Sequence, residues 1–274
     1  MSFYAHTATC LCCGTLLFWP SQKPGAAGEC EGEWDKWKRD TVLEWYLQSS
    51  FYNHANFTRM VLFVMGESYK RCPINILDYG GGGGQFALVC KSLFPQASIY
   101  TTDISDESLL DEWKPVNRQI PFRSFATDRT IFDVIFLNDV LEHVTDPIRV
   151  LKQLKDKLRT QGVIFIDTPK QFWLYPLTRL LSGSLHRKLL ESTVHASHLQ
   201  IWTSTSFLQA LQRAGLRLTK YAETSEFTMP ADFYLDNMDI QQPVVRWLGR
   251  VFCRLAKVIA KNKIMAVVER DRGN

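Results

Sequence analysis

From residue 75 onwards, short apolar runs alternate with helix-like stretches. NILDYG, SIYTTDI, FDVIFL, GVIFIDT, LRLTKYAE and KIMAVVE read as strands; LEHV through VLKQLKDKL and TSTSFLQALQRAG read as helices between them. Strands separated by helices that cross back over a sheet point to an α/β fold with a parallel, doubly wound sheet. The last two runs are joined across Ser225–Asn262 without a strand period, which predicts an antiparallel final strand at one sheet edge. At 274 residues and 46% apolar, the chain fits one such domain with appendages better than two independent ones.

Residues 71–274 form the predicted main domain, with lid insertions at about 170–197 and 225–262. Residues 1–33 hold Gly14, Pro20, Pro24, Gly25 and Gly28 with no sustained period and are expected to be an irregular extension. Residues 34–70 place Trp37, Val42, Trp45 and Tyr46, then Phe57, Met60, Val61 and Val64, at helical spacing, which predicts a helical cover. Cys10 to Gly14 includes a Cys-x-x-Cys-Gly step resembling half of a zinc knuckle. The second pair is missing, and a lone Cys30 is a poor partner for a tetrahedral site that takes two spaced ligand pairs, so a loose segment is expected around Cys10, Cys12, Cys13 and Cys30. Cys72, Cys90 and Cys253 lie in apolar surroundings, as reduced thiols do.

Directly behind the first apolar run lie five consecutive glycines, Gly80–Gly84. A glycine-rich turn between strand and helix lets the backbone approach a ligand and points N–H groups at it, which indicates a nucleotide-like cofactor. The run fits two patterns. Gly82-x-Gly84-x-x-Ala87 satisfies that of dinucleotide sites, and Asp78-x-Gly80-x-Gly82-x-Gly84 that of S-adenosylmethionine (SAM) enzymes. Asp78 discriminates, because a carboxylate before the loop repels a pyrophosphate and suits the cationic amino acid and sulfonium end of SAM. Asp103 ends the next strand, nineteen residues past Gly84, where it can accept both hydrogen bonds of a ribose diol in either cofactor. On the SAM pattern Gly80, Gly82 and Gly84 are the required members, and Gly81 and Gly83 are permissive fillers.

These motifs together resemble those of the class I SAM-dependent methyltransferases. ILDYGGGGG looks like their first motif, Asp103 like the acidic residue of their second strand, and FDVIFLNDVLEHV with GVIFIDTPK like the later ones. The likeness runs from about Ile74 to Leu216, with a final strand at Lys263–Glu269. It implies a Rossmann-like seven-stranded sheet, SAM as cofactor and methyl transfer as the reaction. Cofactor contacts then fall on Asp78, Gly80, Gly82, Gly84, Asp103, Ile104 and Asn138, with Asn138 and Asp139 beside the reacting methyl.

Asp139, Glu142 and His143 follow the run FDVIFL; on a helix, positions i, i+3 and i+4 share one face. The segment His198-x-x-x-Trp202-Thr203 could return a second imidazole to the same cleft. This pairing resembles two branches of the family, the ubiquinone-type O-methyltransferases and the small-RNA 2′-O-methyltransferases. The resemblance implies a divalent metal on Asp139, Glu142, His143 and His198 that holds the substrate oxygens; those branches carry Glu where this chain has the shorter Asp139. Mixed oxygen and imidazole ligands would admit Mg²⁺, Mn²⁺ or Zn²⁺. Without a metal, His143 is a candidate general base, since an imidazole titrating near about 6.5 can accept a hydroxyl proton. Glu142 could equally serve only to order the loop.

The expected reaction is O-methylation of a hydroxylated small molecule. The alternatives are RNA 2′-O-methylation, which His198 and Trp202 would suit, and a SAM-binding module without catalysis. With 32 basic against 28 acidic residues, a net +4, the chain lacks the basic footprint of a dedicated nucleic-acid binder. KQFWLYPLTRLLSGSLHRKLL at 170–190, with Phe227, Phe233 and Tyr234, could line an apolar pocket or simply pack as a lid. In Val244–Ile259, Arg246, Arg250, Arg254 and Lys257 recur at helical spacing among large apolar residues. Such a helix either rests on an anionic membrane surface or buries its apolar side on the sheet, leaving a solvated basic edge. The first Lys is Lys23, so there is no basic leader, and no run is long enough to span a bilayer; a cytoplasmic protein is expected.

Overall fold

The computed structural model describes residues 4–20, 54–66, 74–105, 109, 111–171, 198–225, 230–237 and 240–271, and the statements below concern these. The expected cover over 34–53, the lid residues 172–197, Cys30, Cys72 and Phe227 lie outside them, as do the side chains of Phe233 and Tyr234. Residues 4–20 correct the expectation of an irregular extension. β1 (Tyr4–Thr9) and β2 (Leu16–Pro20) form an antiparallel hairpin, and β2 pairs onward with β8 (Gln200–Ile201). Leu16 and Phe18 are buried, so two apolar side chains anchor a segment whose Gly14 and Pro20 otherwise read as loop. Cys10, Cys12 and Cys13 at its turn are free thiols, and Cys90 and Cys253 are buried ones.

β3 (Asn75–Tyr79), β4 (Ser98–Thr102), β5 (Arg118–Gln119), β6 (Phe132–Asn138) and β7 (Leu158–Pro169) are parallel. β10 (Lys263–Arg270) lies antiparallel between β7 and β9 (Leu216–Thr224), giving the order β5-β4-β3-β6-β7-β10-β9. The final strand is antiparallel as expected, but it is not the edge. Ile264 to Val268 are all buried, which requires a neighbour on each side, whereas β9 exposes Arg217, Thr219 and Lys220 and takes the edge position that charges protect. β5 has two residues and no apolar run, so the alternation does not reveal it.

Period-2 alternation sends neighbouring residues to opposite faces of the sheet. Ile76, Val134, Phe136, Phe165 and Met265 meet Met60, Val61, Val64 and Met65 of helix α1 (54–65) and Phe86, Ala87 and Cys90 of α2 (Gln85–Leu93). Leu77, Ile135, Leu137, Ile164 and Ile166 join the other cluster. There they meet Phe125 of the short α3 (Phe122–Phe125), Leu151 and Leu154 of α4 (Pro147–Asp156), and Phe207 and Leu211 of α5 (Ser204–Ala214). Each such side chain contributes about 1.5–3 kcal/mol when fully buried. The part of the predicted helical cover that carries Phe57 to Val64 is α1, with Phe57 edge-on to Phe86 at 5.2 Å.

Two helices depart from expectation. The segment after β6 is not helical at once: residues 139–144 form a turn in which His143 N–H donates to Val140 O at 3.0 Å. α4 begins only at Pro147, where the Asp146 carboxylate accepts from Arg149 N–H at 2.9 Å and proline fits the first turn. α7 (Pro243–Ile259) neither buries its apolar side nor leaves its whole basic stripe in solvent. Arg246 and Arg250 instead pair with Asp232 and Asp236 of α6 (Ala231–Asn237).

Candidate functional site

A doubly wound sheet leaves a crevice outside its C-terminal strand ends where the strand order reverses, here between β3 and β6. The glycine turn lies at this point. Gly80, Gly82 and Gly84 have φ of 75°, 48° and 87°, a left-handed region open chiefly to glycine. Gly81 is not a filler. A Cβ there would meet Asp78 Oδ2 at 2.5 Å and Thr101 Cγ2 at 2.7 Å, so bulk rather than backbone angle requires glycine. At Gly80 a Cβ would strike Val140 Cγ2 at 2.6 Å, which packs the loop against the turn that follows β6.

Asp78 is 2% exposed beneath this loop, and its Oδ2 has no hydrogen-bond partner. Burial, and secondarily the charge of Asp103, pushes its carboxyl up to about 8. Asp103 Oδ2 accepts from Gly82 N–H at 2.9 Å and its Oδ1 from Ser105 N–H at 3.1 Å, so this side chain holds the glycine loop to the end of β4. Ile104, beside it, is partly exposed. Asn138 closes β6 with its amide oxygen and nitrogen both buried and without hydrogen-bond partners.

Asp139 leaves β6 with a φ of 52° and turns its half-exposed carboxylate to Lys263, whose Nζ donates to Oδ2 at 2.9 Å. The same ammonium lies 2.8 Å from Oδ2 of the fully buried Asp167, at the end of β7. Burial disfavours the Lys263 charge, but the carboxylates of Asp139 and Asp167 outweigh it and hold its pKa above the ordinary lysine range. Asp139 is therefore not one of the gathered ligands expected from i, i+3, i+4 spacing, because the segment is a turn and a poorly exposed ammonium takes its carboxylate.

Glu142, His143 and His198 do come together, with ligating atoms within 4.8 Å of one another. The two imidazoles stand edge to face at 4.8 Å between centroids, and Glu142 Oε1 is 3.9 Å from His143 Nε2. Glu142 is fully buried; its Oε2 accepts from Thr168 Oγ1 at 2.8 Å and its Oε1 lacks a hydrogen bond. Burial and then the charge of Asp139 push this carboxyl well above the usual range, against smaller opposing pulls from Thr168 and Lys263. The segment carrying His198 is stitched to the Glu142 turn. Leu199 N–H donates to Glu142 O at 2.7 Å and Gln200 Nε2 to Leu141 O at 2.7 Å, while Phe18 N–H of the hairpin donates to Leu199 O at 2.9 Å. Trp202 is buried in the core, 6.1 Å from Phe207, and is not displayed for stacking on a base.

Lys263, Asp167 and Thr168 escape sequence reasoning. Asp167 carried a signal, since it ends a buried apolar run as Asp78 does and sits in register with Asn138. Lys263 had none, because its partners are brought to it only by the pairing of β10 with β7.

A family model described as Methyltransferase domain matches residues 44–221. The chain belongs to this methyltransferase-domain family. The ubiquinone biosynthesis O-methyltransferase of Coxiella burnetii is 28% identical over 158 residues, which cover 52% of this chain and 66% of that protein. The match thus spans just under two thirds of that relative's length. The plantazolicin methyltransferase BpumL, solved in complex with a monoazolic desmethylPZN analog and SAH, aligns with a TM-score of 0.54 at 18% identity, covering 90% of this chain and 94% of that one. The [4+2]-cyclase SpnF aligns with a TM-score of 0.56 at 15% identity, covering 79% and 82%. These structures establish the class I methyltransferase fold. In this SAM-dependent methyltransferase family member, the residues at the strand ends fit the cofactor: an orphaned carboxylate oxygen at Asp78, an orphaned amide at Asn138 and a glycine turn whose Gly81 packs directly on the Asp78 carboxylate. No described helix is long and apolar enough to cross a membrane.

Proposed function

We propose that this chain transfers a methyl group from SAM to a hydroxyl oxygen of a small molecule. The reading is supported by two chemically distinct groups of residues at the C-terminal ends of the strands. Asp78 and Asn138 lie unsatisfied on the side of the glycine loop, and His143 stands with Glu142 and His198 across the turn after β6. SAM, when bound, supplies a methyl already activated on a sulfonium. What remains for the protein is positioning, exclusion of water and removal of the acceptor's proton.

Gly80, Gly82 and Gly84 admit the methionine part, and Asp78, once ionised, faces its ammonium. Asp103, with Ile104 beside it, takes the ribose, and Asn138 meets the cofactor next to the methyl. His143 receives the hydroxyl proton at an imidazole nitrogen. Glu142 stands beside it, Oε1 3.9 Å from Nε2, and burial, with the charge of Asp139, pushes its carboxyl above the usual range, which favours the imidazole over the carboxyl as the base. A second reading is supported by three ligating atoms within 4.8 Å and the unpartnered Glu142 Oε1: a divalent ion on Glu142, His143 and His198 that holds the acceptor oxygen. Burial of Trp202 and the near-neutral charge balance weigh against an RNA acceptor.

The test is release of S-adenosylhomocysteine from SAM across a panel of phenolic and aliphatic alcohols, with and without chelator. Turnover with one alcohol class is expected. SAM binding with no turnover on any alcohol would favour a non-catalytic module, and no binding at millimolar SAM would remove the cofactor assignment. Full activity in chelator would eliminate the metal reading.

A further inference from the structure

α7 carries its apolar side outward. Val244, Trp247, Phe252 and Val258 are 70%, 61%, 63% and 76% exposed, and Leu248, Val251 and Leu255 complete the same face at helical spacing. The seam that meets the protein is made of small residues instead. Cys253, Ala256 and Ala260 are buried, and a Cβ on Gly249 would strike Leu235 of α6 at 2.6 Å. Two of the helix cations are spent internally: Arg246 pairs with Asp232 and Asp236, and Arg250 with Asp232. Arg254, Lys257 and Lys261 stay exposed and join none of the ion pairs among the described residues. Residues 243–261 contain no Asp or Glu.

We propose that the outward face of α7 docks on the surface of an anionic lipid bilayer. A large apolar face bordered by cations is the design of a helix that lies in a membrane interface, and a Trp on that face suits the headgroup boundary. Charge decides between occupants. A second copy docked face to face would bring two rows of unmatched cations together with no carboxylate on either helix, whereas lipid phosphates answer them. The helix is an interfacial and not a spanning element. It ends at Ile259, just before Lys263 opens β10 and pairs with Asp139 and Asp167, so docking sets the acceptor side of the crevice beside the bilayer.

Co-sedimentation of the full chain with vesicles at low salt tests this, using phosphatidylcholine alone and with roughly one third phosphatidylglycerol. Binding to the anionic vesicles should exceed that to neutral ones by at least about tenfold. Leu248→Ser/Val251→Ser/Leu255→Ser should weaken it by a further factor of about ten or more. Arg254→Ser/Lys257→Ser should weaken binding to anionic vesicles alone. These positions are exposed, so the variants should keep the wild-type melting temperature and SAM affinity, which separates lost docking from lost folding. A wild type that stays in the supernatant, equal binding to both vesicles, or an apolar triple variant that binds undiminished would overturn the proposal. A wild-type dimer that the triple variant converts to monomer, with no vesicle binding, would assign the face to a second copy.

Discussion

On the side proposed for the cofactor, Asp78, Gly80–Gly84 and Asp103 belong to one strand, its turn and the end of the next strand's run, just past Thr102, and the bond from Gly82 to Asp103 spans 21 residues. On the side proposed for the acceptor, the bonds that fix geometry, Lys263 to Asp139 and Gln200 to Leu141, span 124 and 59 residues. The first side is built by local backbone conformation, the second by the meeting of distant strands. A local device can work whenever its two strands pair; a distributed one exists only when β7, β8 and β10 are all in place. The cofactor side should therefore tolerate changes that disable the acceptor side.

His143→Gln is the sharpest way to separate the two. Losing a general base costs about 10²- to 10⁴-fold in turnover, and calorimetry should find SAM affinity unchanged. Equal losses in both would break the comparison. Next in size is Lys263→Met, which removes the Lys263 ammonium from the fully buried Asp167. Breaking such a pair from one side costs about 3–5 kcal/mol, so thermal or denaturant unfolding should report a loss of that order. A change below about 1 kcal/mol, the level of an exposed ion pair, would mean that the long-range network does not hold the acceptor side.

Asp78 supplies a pH signature for the cofactor side. Burial pushes its carboxyl in the folded protein up to about 8 from the 3.8 of a free aspartate, so between these limits the folded protein holds a proton that the unfolded chain has lost. Its contribution to stability is present at acid pH and declines as pH rises through about 8. If, as proposed, Asp78 faces the SAM ammonium, SAM selects the ionised form and its affinity should rise with pH from about 6 to about 7.5, by up to about tenfold per unit, and Asp78→Asn should flatten that slope. An identical slope in the variant would remove Asp78 from the cofactor site. The smallest effect is expected at Thr203, whose hydroxyl caps α5 by accepting from Ser206 N–H at 3.0 Å and donates to Cys13 O at 2.7 Å. Thr203→Ala should cost about 1 kcal/mol in a thermal melt without changing SAM affinity.

The same contrast explains what the sequence makes legible. Six of the seven sheet strands, all but β5, coincide with the apolar runs read from the sequence, and the final run is antiparallel as its long connection suggests. Its place inside the sheet becomes visible only by noting that it is apolar throughout while LRLTKYAE is not. Gly80, Gly82 and Gly84 were legible through their match to the SAM-enzyme pattern beginning at Asp78, and they are the left-handed positions, whereas the need for glycine at 81 comes from Asp78 and Thr101 packed beneath it. Glu142, His143 and His198 could be suspected from residue type. The departure of Asp139 to Lys263 could not, because it depends on a turn where helical spacing was assumed and on a lysine 124 residues away. α7 shows the limit of periodicity most plainly: it locates the apolar face of a helix without saying whether that face points in or out.

The central claim is that one side of the crevice binds the cofactor while the other acts on the acceptor. Calorimetric titration of SAM into the wild type, Asp78→Asn and His143→Gln at pH 7.5 tests it directly. The account predicts that Asp78→Asn weakens SAM by about tenfold or more, the scale of a lost charge-assisted contact, while His143→Gln binds it as the wild type does. Undiminished affinity in Asp78→Asn, or an equal loss in His143→Gln, would contradict it.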